Sequence, residues 1–180
     1  MSNEPLSSFL SEKSIYLHKE YLKTERARYS ILEKSFSCIS GKSFSEIYAM
    51  RRIDRDDRAK ILARLASVTM HDIYFYSFTL TPAPCEAVRE YYSSESAFLY
   101  EAWLLGREKR CGFLYFYLDR RGKPCFDFTD TGLSALMRVE PRLAVDLCEH
   151  AYFLDYGFDS GEYLRRALGY LDISRLVDKS

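Results

Sequence analysis

The stretch Asp146–Tyr156 reads D-L-C-E-H-A-Y-F-L-D-Y. It grows out of Leu143–Asp146, a short apolar run expected as a buried strand. Asp146 therefore ends the strand, and His150 lies four residues beyond it. A carboxylate and an imidazole set into an apolar segment are costly to bury unless they are paired or hold a metal. The chain contains only two other histidines, His18 and His71, and each sits mid-stripe in a helical pattern. Ile15, His18, Leu22, Glu25, Tyr29, Leu32 and Phe36 recur at the i, i+3, i+4, i+7 spacing of one helix face, with Glu25 as the acidic intruder. Ile61, Leu65, Val68, His71, Phe75 and Phe78 do the same on a second helix. Two such helices joined by a moderate connection read as a hairpin on which His18 and His71 face one another. One histidine on an apolar face is more often a satisfied core residue than a ligand. Three imidazoles and a carboxylate meeting in an apolar core suit Mn, Fe or Zn by ligand type.

Outward from these residues the punctuation is legible. Ser7 and Ser8 are the expected caps of a first helix reaching about Phe36, and Gly41 stops it. Ser43-Phe44-Ser45-Glu46 is box-like and opens a short helix, and the aspartates of Arg52–Asp57 suit the start of the second long one. Leu80-Thr81-Pro82-Ala83-Pro84 marks a boundary, because prolines there exclude continued helix. Ser94 to about Lys109 is helical. Gly112–Leu118 and Pro124–Phe128 are strands around the turn Asp119–Gly122, and Gly161–Tyr170 and Ile173–Val177 are closing helices. The expected fold class is α+β. A long-helix hairpin over residues 1–80 packs on a C-terminal α/β domain over residues 85–180, with a small three-stranded antiparallel sheet and flanking helices.

The 180 residues carry 26 Lys+Arg against 26 Asp+Glu, so no global field draws the chain to nucleic acid or an anionic membrane. Apolar runs such as Cys111–Leu118 are far too short to span a bilayer. Neither a nucleic-acid nor a membrane partner is expected. The opening M-S-N-E-P-L-S-S lacks the basic and apolar regions of a signal peptide. Five cysteines without a C-x-x-C argue against a disulfide framework or a thiolate zinc site, so a reducing, cytoplasmic location is expected.

Asp146–Tyr156 resembles the D-x-W-E-H-A-Y-Y-L-D-Y signature of the iron/manganese superoxide dismutases. Ser11–His18 (S-E-K-S-I-Y-L-H) is similar to the first-helix run that ends in that family's first metal-binding histidine, and Met70–Tyr76 (M-H-D-I-Y-F-Y) to its N-H-x-F-Y-W segment. Gly112–Tyr117 resembles its G-W-x-W-L-V strand, and Gly161–Arg175 its closing Y-L…N-W helices. The resemblance implies one Mn or Fe ion per chain, held by His18, His71, Asp146 and His150, with superoxide as substrate. It also implies a homodimer in which Glu149 pairs with the partner's His150.

The departures from the family pattern are specific. The Gln or His that hydrogen-bonds metal-bound solvent is expected near Ser67 or Thr129, and neither residue has that reach. The gateway Tyr falls on Arg26, a cation expected at the channel mouth that would attract anions. The gateway His falls on Leu22, and the partner-chain Tyr that it meets falls on Phe153. The motif Trp is Cys148, expected as a small core residue filling part of the lost volume, and the strand tryptophans are Phe113 and Tyr115. Two function classes follow: a superoxide dismutase with an altered outer sphere and reduced activity, or a non-catalytic structural or interaction subunit of the same fold.

Overall fold

The two helices that carry His18 and His71 are the longest elements of the computed structural model, which describes residues 4–177. The outer limits of both expected domains, residues 1 and 180, and the first residues of the opening segment lie outside the described residues. Helix α1 (Glu4–Ser7) is a single turn, and α2 (Glu12–Ser35) begins after a break. The cap of α2 is Ser11, whose hydroxyl accepts the Ser14 N–H at 3.2 Å, and not Ser7 or Ser8. Contacts distant in sequence decide this start. The Ser11 N–H donates to Asp155 at 2.9 Å and the Tyr156 hydroxyl donates to the Phe9 carbonyl, so the break is held from outside the helix.

Helix α3 (Phe44–Ala49) has the capping box that its sequence announces, with Ser43 and Glu46 serving each other's backbone N–H. Helix α4 (Arg55–Tyr76) is capped by Asp54, whose carboxylate accepts the Asp56 N–H at 2.8 Å. It stops at Tyr76, short of Phe78. Phe78 leaves the helix to bridge Leu171, and the Ser77 hydroxyl turns inward to accept the Ala144 N–H at 2.8 Å. Helices α2 and α4 run antiparallel, since His18 lies by His71 while Glu25, further along α2, meets Arg64, earlier on α4.

Beyond the prolines come α5 (Glu86–Tyr91), α6 (Glu95–Gly106), β1 (Phe113–Leu118), β2 (Pro124–Thr129), α7 (Leu133–Arg138), β3 (Leu143–Asp146), α8 (Glu149–Tyr156) and α9 (Ser160–Gly169). Ile173–Leu176 is a 3₁₀ turn where a helix was expected. The sheet has the order β2-β1-β3, antiparallel throughout, and the fold is α+β as the sequence indicates. Its central face packs Leu114, Phe116, Leu143 and Val145 against Tyr74, Phe98 and Tyr163, all fully buried. The sequence reading assigned no helix to α5, α7 or α8. Each is eight residues or fewer, and α7 starts at Gly132 with no side-chain cap. Gly132 has φ of 71°, and a Cβ there would stand 2.6 Å from Met70 Cγ, so only glycine lets α7 pack beside the segment that holds His71. No helix among the described residues is long and apolar enough to cross a membrane.

Candidate metal centre

Four side chains meet where α2, α4, β3 and α8 converge. One donor atom from each of His18, His71, Asp146 and His150 lies within 4.8 Å of the others. Asp146 Oδ2 is the hub. It stands 2.9 Å from His150 Nε2, 3.2 Å from His18 Nε2 and 3.3 Å from His71 Nε2, and the Nε2 atoms of His71 and His150 are 3.3 Å apart. The backbone fixes each group. Asp146 is paired with Phe113 in the β1–β3 ladder, its carbonyl accepts the Tyr163 hydroxyl at 2.9 Å, and its Oδ1 accepts the Cys148 N–H at 2.8 Å. His71 Nδ1 donates to the Ser67 carbonyl at 2.7 Å, which leaves the lone pair on Nε2, facing the cluster. Tyr74 and Phe75 pack on His18 with ring centroids 4.8 and 5.0 Å away, and Phe113 meets His71 edge-on at 5.1 Å.

The site is closed on three sides. His18, His71 and Asp146 are buried, whereas the His150 side chain is 30% exposed, so this imidazole is the edge that solvent reaches. Tyr21 lies over it, stacked at 4.2 Å and tilted by 23°. Burial alone would raise the Asp146 carboxyl, but the imidazoles of His150, His18 and His71 crowded around it hold it well below the usual carboxylate range. His18 is pushed down by burial, which outweighs the pull of Asp146. At His71 burial also pushes down, yet Asp146, the Ser67 carbonyl and Glu25 together raise it.

These groups fit a metal ion. Both ring nitrogens of His18 are buried without a hydrogen-bond partner, and the 3.2 Å approach of Nε2 to Asp146 is not aligned as one. A buried polar group left in this way is expensive unless something satisfies it. Bond lengths of about 2.0–2.2 Å would set donors roughly 3–3.5 Å apart around one ion. The spacings to Asp146 Oδ2, 2.9–3.3 Å, agree with that. Three imidazoles and a carboxylate are suitable donors for a first-row transition metal.

The remaining residues singled out in the sequence are placed as follows. Arg26 is 56% exposed, two turns along α2 from His18, and forms an ion pair with Asp72, the neighbour of His71. Glu149, the first residue of α8, is exposed and makes no ion pair among the described residues. Leu22 is buried within the chain itself, while Phe153 is 40% exposed and rests on Phe158 at 5.3 Å. Thr129 is occupied by its own loop, accepting the Gly132 N–H at 3.1 Å and lying 2.8 Å from the Ser134 hydroxyl. Glu25 shares the stripe of His18 and is equally buried, held by Arg28 at 2.6 Å and Arg64 at 2.8 Å.

One expectation is overturned. Cys148 is not a simple core filler, because it forms a disulfide with Cys111, which also removes the cysteine argument for a reducing compartment; Cys38, Cys85 and Cys125 are free. Counting cysteines and searching for close spacings cannot detect this bond, which follows from strand register. Phe113 opposes Asp146, Gly112 accepts the Leu147 N–H at 2.8 Å, and the next rung brings Cys111 to Cys148. Tyr21 also went unnoticed. Its only sequence signal is its place one turn after His18, off the apolar stripe.

A family model described as iron/manganese superoxide dismutases, C-terminal domain, matches residues 86–177. No curated protein matches the chain.

Proposed function

This chain belongs to the iron/manganese superoxide dismutase family, and from that premise we propose that it disproportionates superoxide to oxygen and hydrogen peroxide. The observation that carries the reading is the convergence of four donors that the chain leaves incompletely satisfied, His18 above all. Manganese or iron, one ion per chain and held by His18, His71, Asp146 and His150, would supply one-electron redox chemistry when bound. The chain's own residues do the rest. Asp146 contributes the negative charge that holds the cation, with His18, His71 and His150 as neutral donors. Ser67 fixes the His71 tautomer through its carbonyl, as a supporting group does for a metal-binding imidazole. Tyr21, stacked on His150, narrows the open edge to a small substrate. Arg26 favours approach of an anion, although Asp72 neutralises much of its field.

Activity below that of members with the complete outer sphere is part of the proposal. Ser67 is short and Thr129 is engaged in its loop, so neither supplies the amide-like donor that tunes redox potential. Each ~59 mV of mistuning costs about tenfold in a one-electron equilibrium. We further propose a homodimer, with Glu149 reaching the partner's His150 and Phe153 contributing apolar area at that face. Metal analysis of protein from its own host, with a superoxide assay and a solution mass measurement on the same sample, tests all of this. Close to one Mn or Fe per chain, dismutation above that of free metal ion and a dimer mass are expected. A fully metallated sample without dismutation would replace the enzyme with a structural or interaction subunit.

A further inference from the structure

The Cys111–Cys148 bond lies at the one point of the chain where strand register and metal donors meet. Cys148 is two residues from Asp146 and two from His150, and it is the residue from which α8 starts. Its N–H donates to Asp146 Oδ1 at 2.8 Å, and its sulfur accepts the Gly112 N–H at 3.1 Å. With the bond closed, the β1–β3 ladder continues past Phe113 and Asp146, so a covalent rung fastens the segment that carries two of the four donors. The other two, His18 and His71, ride on α2 and α4 and do not depend on it. Cys111, by contrast, is exposed at the end of the charged turn Arg107–Arg110.

We propose that this bond is a thiol-exchange site, opened by a small thiol attacking the sulfur of Cys111, the more exposed residue of the pair, and that its state sets how firmly Asp146 and His150 are held for the metal. The second half of the proposal rests on the metal-binding reading given above. The thiolate forms a new S–S bond to Cys111 while the Cys111–Cys148 bond breaks. The Cys148 sulfur leaves with the electron pair and takes a proton from solvent. A second thiol attacks the mixed disulfide, leaving Cys111 as a thiol and releasing the small disulfide. Two thiols are oxidised by two electrons in total, and the protein bond is reduced by two. Once open, the site no longer clamps Cys148, so the hydrogen bond to Asp146 and the start of α8 lose their covalent support. Supporting groups of this kind typically change metal affinity by about 10–100-fold.

The test uses the full chain, with Cys38 and Cys125 alkylated while the disulfide is intact and Cys85 shielded in the core. Reduced glutathione is then added as the probe thiol. Peptide mapping is expected to find the adduct on Cys111. Amide exchange over residues 146–150 is expected to quicken on reduction, whether or not metal is present. Release of bound Mn or Fe to a chelator should accelerate by roughly 10–100-fold. Cys111→Ser should behave as the reduced protein and ignore glutathione. Should that variant not fold, a reduction and reoxidation cycle of the wild type reads the same two quantities. Absence of a Cys111 adduct, or unchanged exchange over 146–150, overturns the proposal. A chain that takes up no metal in either state defeats the metal reading instead, while the adduct and the exchange rates still decide this one.

Discussion

Two polar groups sit on the same face of α2, two turns apart and equally buried, and they have opposite fates. Glu25 is met by its own chain, with Arg28 one turn on and Arg64 across the hairpin bringing guanidinium groups to its two oxygens. His18 is surrounded by aromatic rings and by other would-be donors, and neither of its nitrogens is hydrogen-bonded. Burial penalises both. What separates a structural charge from a binding site here is whether the surroundings supply the complementary group. Arginines complete Glu25, whereas three imidazoles around one carboxylate form a donor set suited to a cation. The same helix stripe thus holds a solved and an unsolved problem, and only the unsolved one calls for a ligand.

The largest expected effect tests the unsolved half. Asp146→Ala should reduce bound Mn or Fe from about one per chain to near zero by elemental analysis. It should also abolish the rise in melting temperature that metal gives the wild type, since a ligand at a hundred times its Kd stabilises by about 2.7 kcal/mol. Retention of stoichiometric metal would erase the contrast. Glu25→Ala should cost about 1–3 kcal/mol in urea unfolding, the range for stranding charged hydrogen-bond partners, and leave metal content unchanged. Loss of metal with that variant would mean that the two clusters are one.

A finer measurement uses pH. Burial pushes the Glu25 carboxyl up, but the hydrogen bonds and charges of Arg64 and Arg28 hold it below its ordinary value on balance. The stability gained is therefore fully present above the ordinary carboxylate range, near 4.3, and is lost as pH falls through the lowered value. The difference in unfolding free energy between wild type and Glu25→Gln, both kept in chelator, should be widest near pH 6 and shrink toward pH 3. A difference that grows on acidification would mean that the carboxylate is not stabilised by its arginines. The smallest effect belongs to the exposed pair. Arg26→Ala should move the unfolding free energy by less than about 1 kcal/mol, and its larger consequence should be a weaker salt dependence of dismutation.

His18, His71 and Asp146 were legible in the sequence because each interrupts an apolar pattern, whereas His150 was marked by its place four residues after Asp146 in the run that resembles the family signature. The long helices and the β1–β2 hairpin were readable from their periodicities, which extend over many residues. Tyr21 was not, since it lies beside the stripe and gains its role only when α8 brings His150 against it. The disulfide was hidden because nothing local in Cys111 or Cys148 encodes the register that aligns them across 37 residues. The start of α2 was misplaced by four residues or fewer because Asp155 and Tyr156, from the far end of the chain, hold the preceding turn open.

The donors also have an order in time. His18 and then His71 leave the ribosome first, on α2 and α4, and Asp146 and His150 follow more than seventy residues after His71. At about 5–20 residues per second that interval lasts several seconds. During it the nascent hairpin exposes two unsatisfied imidazoles and an apolar face with nothing to close them. On the proposed function, capture of an ion would therefore wait until β3 and α8 are made, and so would any factor that delivers it.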